Sequence, residues 1–278
     1  MPTDSAPVLV TGATGKQGGA TARALLAAGV PVRALVRDPA TERAKAVEAL
    51  GAHLVTGDFN DRDSVIGAAE GARAVFSVQM PAMTEHSVDH DGELAQAVNL
   101  IEGALAAGVP QFVQTTVSGV AQHTEAPGWS EGRWAPMETY YQTKSGIEDR
   151  VRDAGFAHWT IIRPATFMEN FLPDTAYLMP RGVAGGLVTV IRPETRISLV
   201  AVDDIGVAAA AVIAGICTEK TARAPRAAAI TESRSLRSPV TRSAPSASTA
   251  LARSVAGSRT RARTGVPAAS RARAVAPP

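Results

Sequence analysis

Thiols, lysines and long apolar runs are nearly missing from this chain of 278 residues. Its one cysteine, Cys217, excludes an internal disulfide framework and suits a reducing compartment. No apolar stretch approaches the roughly 20 residues that a membrane-spanning helix needs. The opening MPTDSAP has neither the basic segment nor the apolar core of a secretory leader. A cytoplasmic protein without a membrane partner is expected. Lysine occurs only at positions 16, 45, 144 and 220, and no aromatic residue follows Lys220. Beyond that point Glu232 is the single acid against eleven arginines, whereas the first 220 residues are net acidic. The net charge of +2 therefore averages two differently built segments.

The Ala, Arg, Ser, Thr and Pro of the C-terminal segment show no sustained periodicity, and such a composition cannot offset the entropy of ordering a chain. Disorder is expected over 215–278. A basic arm of this kind can grip nucleic acid phosphates. The abrupt joint loss of periodicity, acids and aromatics, together with the scarcity of lysine, favours a shifted reading frame of a GC-rich gene instead. Nucleic acid is accordingly not expected as a partner.

What is present in the first two-thirds is a strand–helix alternation. Short β-branched runs at Pro7–Thr11, Val30–Val36, His53–Thr56, Ala72–Val78, Gln111–Thr115 and His158–Arg163 are separated by helical patterns near 16–28, 40–50, 62–70, 85–107 and 137–154. Apolar strands each followed by a helix imply an α/β fold, a doubly wound parallel Rossmann sheet over residues 1–171. After Phe171 the rhythm changes. Pro173, Pro180, Pro193 and the pair Gly185-Gly186 interrupt a small, incomplete substrate subdomain over 172–214. It ends in a strand at Ile197–Val202 and a helix to about Ile213, capped by Asp203 and Asp204.

The stretch VLVTGATGKQGGA at 8–20 places Gly12, Gly15 and Gly18 at the first strand-to-helix junction. Glycines there permit a tight turn and close backbone approach, so that amide N–H groups face a pyrophosphate. Thr14, Lys16 and Gln17 complete the cradle. The alternative is a turn that merely packs a helix on a sheet, but a second βα unit follows directly, which favours the dinucleotide. At the end of the second strand, an acid selects NAD and an arginine pairs with the 2′-phosphate of NADP. Both Arg37 and Asp38 stand there. Arg37 follows the strand directly, while Asp38 precedes a proline as the next helix's cap, so NADP(H) is preferred with NAD(H) possible. Arg33 and Lys16 are further candidate phosphate partners.

TGATGKQGG, VRALVRDP, TGDFND, VFSVQMP and RPATFMENF together resemble the NmrA-like family of atypical short-chain dehydrogenases over about residues 6–214. That resemblance implies an adenine contact for Asp58 and a cleft lining for the Gln79–Pro81 loop. It also implies a nicotinamide border made of Thr115–Ser118 and Pro164–Phe167. Members include NADPH-dependent reductases of quinones and similar acceptors, and also proteins that bind NADP without turnover and act as redox sensors or as regulators of transcription factors. Tyr140 and Lys144 stand four apart, on one face of a helix. They show the Y-x-x-x-K spacing of short-chain dehydrogenases, in which lysine holds the nicotinamide ribose and tyrosine exchanges a proton with the carbonyl oxygen. Ser118 is the candidate for the serine that polarises the substrate, and Tyr141 is a neighbour that could replace Tyr140. Phe167 is the best candidate for a substrate-pocket residue, ahead of Met168 and Phe171. His86 and His90 share a helical face but lack the glutamate of H-E-x-x-H, so no metal is expected. The expected activity is NADPH-dependent reduction of a quinone or carbonyl acceptor, with a non-catalytic NADP sensor of the NmrA type as the alternative.

Overall fold

Residues 6–84, 87–172, 185–186, 195–215 and 230–235 are described by the computed structural model. In chain order the elements are β1 (Val8–Val10), α1 (Lys16–Ala27), β2 (Val32–Val36), α2 (Glu42–Ala49), β3 (His53–Thr56), α3 (Arg62–Ala69) and β4 (Ala74–Ser77). A small antiparallel pair follows, β5 (Ala82–Met83) with β6 (Val88–Asp89), and then α4 (His90–Ala106), β7 (Gln111–Thr115), α5 (Ala135–Asp153) and β8 (His158–Ile162). The last are β9 (Thr166–Phe167), β10 (Leu199–Val200), α6 (Val202–Ile213) and β11 (Ile230–Ser235). Seven strands make the main sheet in the order β11-β8-β7-β4-β1-β2-β3, all parallel except β11.

The inner strands β1, β2, β4, β7 and β8 are buried on both faces because successive side chains alternate between two cores. Leu9, Val75, Phe112 and Trp159 stand in one register row and pack with Val65 of α3, Leu100 and Ile101 of α4 and Val151 of α5. Val10, Phe76 and Val113, one residue along, face Leu25 of α1 and Ile205, Ala209 and Val212 of α6. Helices α1 and α6 meet backbone to backbone: a methyl group on Gly206 would lie 2.5 Å from the Ala20 carbonyl.

The doubly wound sheet is as expected, and the departures from expectation have causes in capping, packing and strand pairing. Helix α4 begins at His90 rather than near 85, because the β5–β6 pair occupies the preceding residues and Asp89 caps the helix through the Gly92 N–H at 2.8 Å. Helix α6 begins at Val202, so Asp203 and Asp204 fall in its first turn rather than at its cap. The Val202 N–H instead donates to Glu169 Oε1 at 3.0 Å. Ile205, Ala209 and Val212 of α6 pack into the same core as the sheet. Finally, Ile230–Ser235, expected to be disordered with the rest of 215–278, adds an antiparallel strand to the β8 edge. Edge pairing uses backbone N–H and C=O groups and asks little of side-chain composition. Residues 216–229 and 236–278 lie outside the described residues, as do 173–184 and 187–194 of the expected substrate subdomain.

Candidate active site

The strand order reverses between β1 and β4, and ligands of such sheets bind in the crevice beyond the carboxyl ends at that point. The glycine loop lies there. Gly12 has φ +61°, and a methyl on it would come within 2.7 Å of Val78 Cγ1. A methyl on Gly18 would stand 2.3 Å from the carbonyl oxygens of both Thr11 and Gly12, so the first turn of α1 rests directly on the strand end. Gly15 occupies the N-cap position with no side-chain hydrogen bond, and no acid stands in the first turn. The amides of Lys16, Gln17 and Gly18 therefore present an uncompensated positive helix end beside the exposed Thr14. Gln17 Oε1 is buried without a partner among the described residues.

Arg37 and Asp38 follow β2, both exposed. Asp38 Oδ1 accepts from the Ala40 N–H at 2.8 Å and so shapes the turn, while Thr41 is the cap of α2, through the Ala44 N–H. Among the described residues no acid pairs with Arg37. Arg33 is engaged elsewhere: its Nη1 donates to the carbonyls of Ala68 and Glu70 at 2.7 Å, where it closes the end of α3. Asp58, half-buried after β3, accepts from the backbone and side chain of Asn60, each at 2.8 Å.

A buried polar network joins the strand ends. Thr11 Oγ1 accepts from the Val78 N–H at 2.9 Å, tying β1 to β4. Gln79 Nε2 donates to Ser77 Oγ at 2.6 Å, and Gln79 Oε1 accepts from Gln114 on β7 at 2.9 Å. Beyond β7, Thr116 Oγ1 donates to Glu148 Oε1 at 2.7 Å, and Glu148 also takes hydrogen bonds from Arg163 and Arg152. Burial pushes the Glu148 carboxyl up. The bonds from Arg163 and Thr116, the Arg163 charge and the bond from Arg152 together outweigh that and hold it below its ordinary range. The Ser118 N–H donates to the Pro164 carbonyl at 2.9 Å, which fixes the two loops that follow β7 and β8 against each other.

Helix α5 carries the tyrosine and lysine. Lys144 Nζ is buried, donates to Glu93 Oε1, and sits 5.6 Å from the centroid of the Tyr140 ring. The same ring meets His90 edge-on at 6.0 Å. Tyr141 meets the Tyr140 ring edge-on at 5.4 Å but has further partners of its own. It stacks on His123 at 4.8 Å, meets Trp129 edge-on at 5.8 Å, and has its hydroxyl over Gly119. Glu93 and the Gln79–Gln114 pair were not anticipated as partners. Their signal was polarity out of place, with Glu93 on the apolar stripe of α4 and Gln114 inside the apolar strand QFVQT. Lys16 Nζ donates to Asn170 Oδ1 at 3.3 Å, so the glycine loop touches the RPATFMEN segment. Phe167 is half-buried and packed on the α1–α6 core. His86 lies outside the described residues. Among those described no helix is long and apolar enough to cross a membrane.

These features fit a dinucleotide: a loop with no room for a side chain at Gly12 or Gly18, an uncapped helix end without acids, and an exposed arginine after β2. The sequence matches the model of the NmrA-like family over residues 4–234, past Ala214 where the motifs give out and through most of β11. The chain is 33% identical over 208 residues to a (4-alkanoyl-5-oxo-2,5-dihydrofuran-3-yl)methyl phosphate reductase of Streptomyces griseus, across 75% of this chain and 63% of that protein. It is 30% identical over 175 residues to an NAD(P)H azoreductase of Xenophilus azovorans, across 63% of this chain and 53% of that one. It thus spans less than two thirds of either relative's length. In fold it is similar to the NADPH-dependent quinone oxidoreductase QOR2 of Escherichia coli, solved with NADPH, with a TM-score of 0.56 and 24% identity over 74% of this chain and 64% of that one. On sequence and fold together, the chain belongs to the NmrA-like family.

Proposed function

We propose that this protein is an NAD(P)H-dependent oxidoreductase that prefers NADPH and reduces a quinone or carbonyl acceptor. The observation that carries the reading is the backbone-lined cradle of Gly12, Gly15 and Gly18 at the acid-free N-terminus of α1. Gly12, Thr14, Gly15, Lys16, Gln17 and Gly18 would hold the pyrophosphate, Arg37 the 2′-phosphate, and Asp58 the adenine. Gln79 and Pro164 would wall the cleft, Phe167 would border the acceptor, and Lys144 would hold the nicotinamide ribose. Bound NAD(P)H supplies a hydride, so the acceptor needs one proton to complete its reduction. Tyr140 Oη would deliver that proton to the acceptor oxygen, which Ser118 Oγ would orient. The Lys144 ammonium faces the tyrosine ring and would stabilise the negative charge left as the proton departs.

Titration with NADPH and NADH, followed by thermal midpoint and by the fluorescence of Trp129, Trp134 and Trp159, tests the binding half. NADPH should raise the midpoint more than NADH, and Arg37→Ala should weaken NADPH about tenfold or more while leaving NADH unchanged. No response to either nucleotide refutes the reading. Tyr140→Phe should lose most quinone turnover with NADPH affinity kept.

A non-catalytic NADP sensor acting on a regulatory protein is the second reading. One observation favours it: Lys144 is already ion-paired inside the protein. NADPH binding without oxidation by any of a panel of quinones, in parent and Tyr140→Phe alike, would select it.

A further inference from the structure

On α4, Glu93, Ala97, Leu100, Ile101 and Ala104 recur at helical spacing, and all five are buried. A carboxylate on such a stripe is costly unless it is paired. The Glu93 side chain has no exposed area, and Lys144, whose side chain is 10% exposed, donates to its Oε1. Its Oε2 stands 4.0 Å from His90 Nδ1, and neither atom has a hydrogen-bond partner among the described residues. His90 and Lys144 both face the Tyr140 ring, so the two side chains next to Glu93 are the two that flank the proposed proton donor. Two apolar residues at 93 and 144 would join α4 to α5 at least as well, since buried ion pairs often add no stability over well-packed apolar replacements.

We propose that Glu93 is the positioning residue for Lys144. Its carboxylate holds one of the three ammonium donors, fixes Nζ over the Tyr140 ring, and leaves two donors for the nicotinamide ribose hydroxyls. This rests on the reading of Lys144 as a cofactor ligand. A purely structural ion pair would affect stability alone. A positioning pair must also affect cofactor binding, and only through Lys144.

The test is a double-mutant cycle on the full chain with NADPH as the probe, comparing Glu93→Gln, Lys144→Met and the double variant. Lys144→Met should weaken NADPH about tenfold. Glu93→Gln should weaken it about tenfold in the parent and less than about twofold in the Lys144→Met background. The rate of 1,4-benzoquinone reduction at saturating NADPH should fall in the same pattern. The double variant should melt above Glu93→Gln, since no unpaired ammonium remains buried. If Lys144→Met weakens NADPH but Glu93→Gln has no effect, or the same effect in both backgrounds, Glu93 does not act through Lys144 and this inference alone falls. If Lys144→Met binds NADPH like the parent, the cofactor reading of Lys144 falls and takes the inference with it. Should Glu93→Gln not fold, Glu93→Asp, which withdraws the charge by one methylene, runs through the same cycle with the same outcomes.

Discussion

Gly18→Ala tests the cradle by adding one methyl group. That methyl would lie 2.3 Å from the carbonyl oxygens of Thr11 and Gly12 and 2.4 Å from the Gly12 carbonyl carbon, all backbone atoms that cannot swing aside. Ordinary contact is about 3.4 Å or more, so α1 must lift from the end of β1 by about 1 Å. The helix is not free to lift. Ala22 and Leu25 are fully buried beneath it, and Ala20 is held against Gly206 of α6. Overpacking of this kind costs about 3 kcal/mol at the upper end of its usual range. Alanine recovers about 1 kcal/mol of helix propensity over glycine. A net loss of about 2 kcal/mol should lower the thermal midpoint by roughly 4–8 °C for a domain of this size. It should also weaken NADPH sharply, because the amides that line the cradle move with the helix. Gly67→Ala is the control: it is exposed on α3 with nothing within 4 Å of the added methyl, and should gain about 0.5–1 kcal/mol. Thermal melting of all three proteins with and without NADPH decides the matter. A Gly18→Ala protein that melts within about 1 °C of the parent and keeps its NADPH shift would refute the close-packed cradle.

Two further outcomes follow from the polar network. Glu148 is held below its ordinary value of 4.5, so the stability it contributes is complete above that value and is lost as pH falls through the lower, folded one. Glu148→Gln should remove that part of the acid dependence, and should cost about 2–3 kcal/mol at neutral pH because Arg163 and Arg152 lose a buried, charged acceptor, although Arg152 keeps its ion pair to Asp149. Chemical denaturation between neutral and acid pH measures both; an unchanged acid limb would refute the assignment. Glu169→Ala should cost about 1 kcal/mol by removing the cap on the Val202 N–H. It should also speed hydrogen exchange in the first turn of α6 above that of the rest of the helix. Uniform exchange along α6 would count against it.

The βα rhythm and the glycine cradle were legible in the sequence because both are local. Alternation at period two, helical spacing, and glycines at a strand-to-helix junction depend on residues close in the chain. The same holds for Tyr140 and Lys144, whose i,i+4 spacing alone puts them on one face of α5. Partnerships across the chain were decided only by the tertiary structure. Arg33 looked like a phosphate ligand until α3 packed beside β2 and offered it two carbonyls. Asp203 and Asp204 looked like caps, but Glu169 reaches the helix end first from 33 residues away. Tyr140 and Tyr141 are adjacent in sequence, yet the turn of the helix sends one to His90 and Lys144 and the other to His123 and Trp129. The strand at Ile230–Ser235 exists through pairing with β8, whose backbone supplies what the composition of the segment does not suggest. Local periodicity records which elements form. Which charge meets which partner is settled by burial, because a charge removed from water takes whatever counterpart the packing brings within reach.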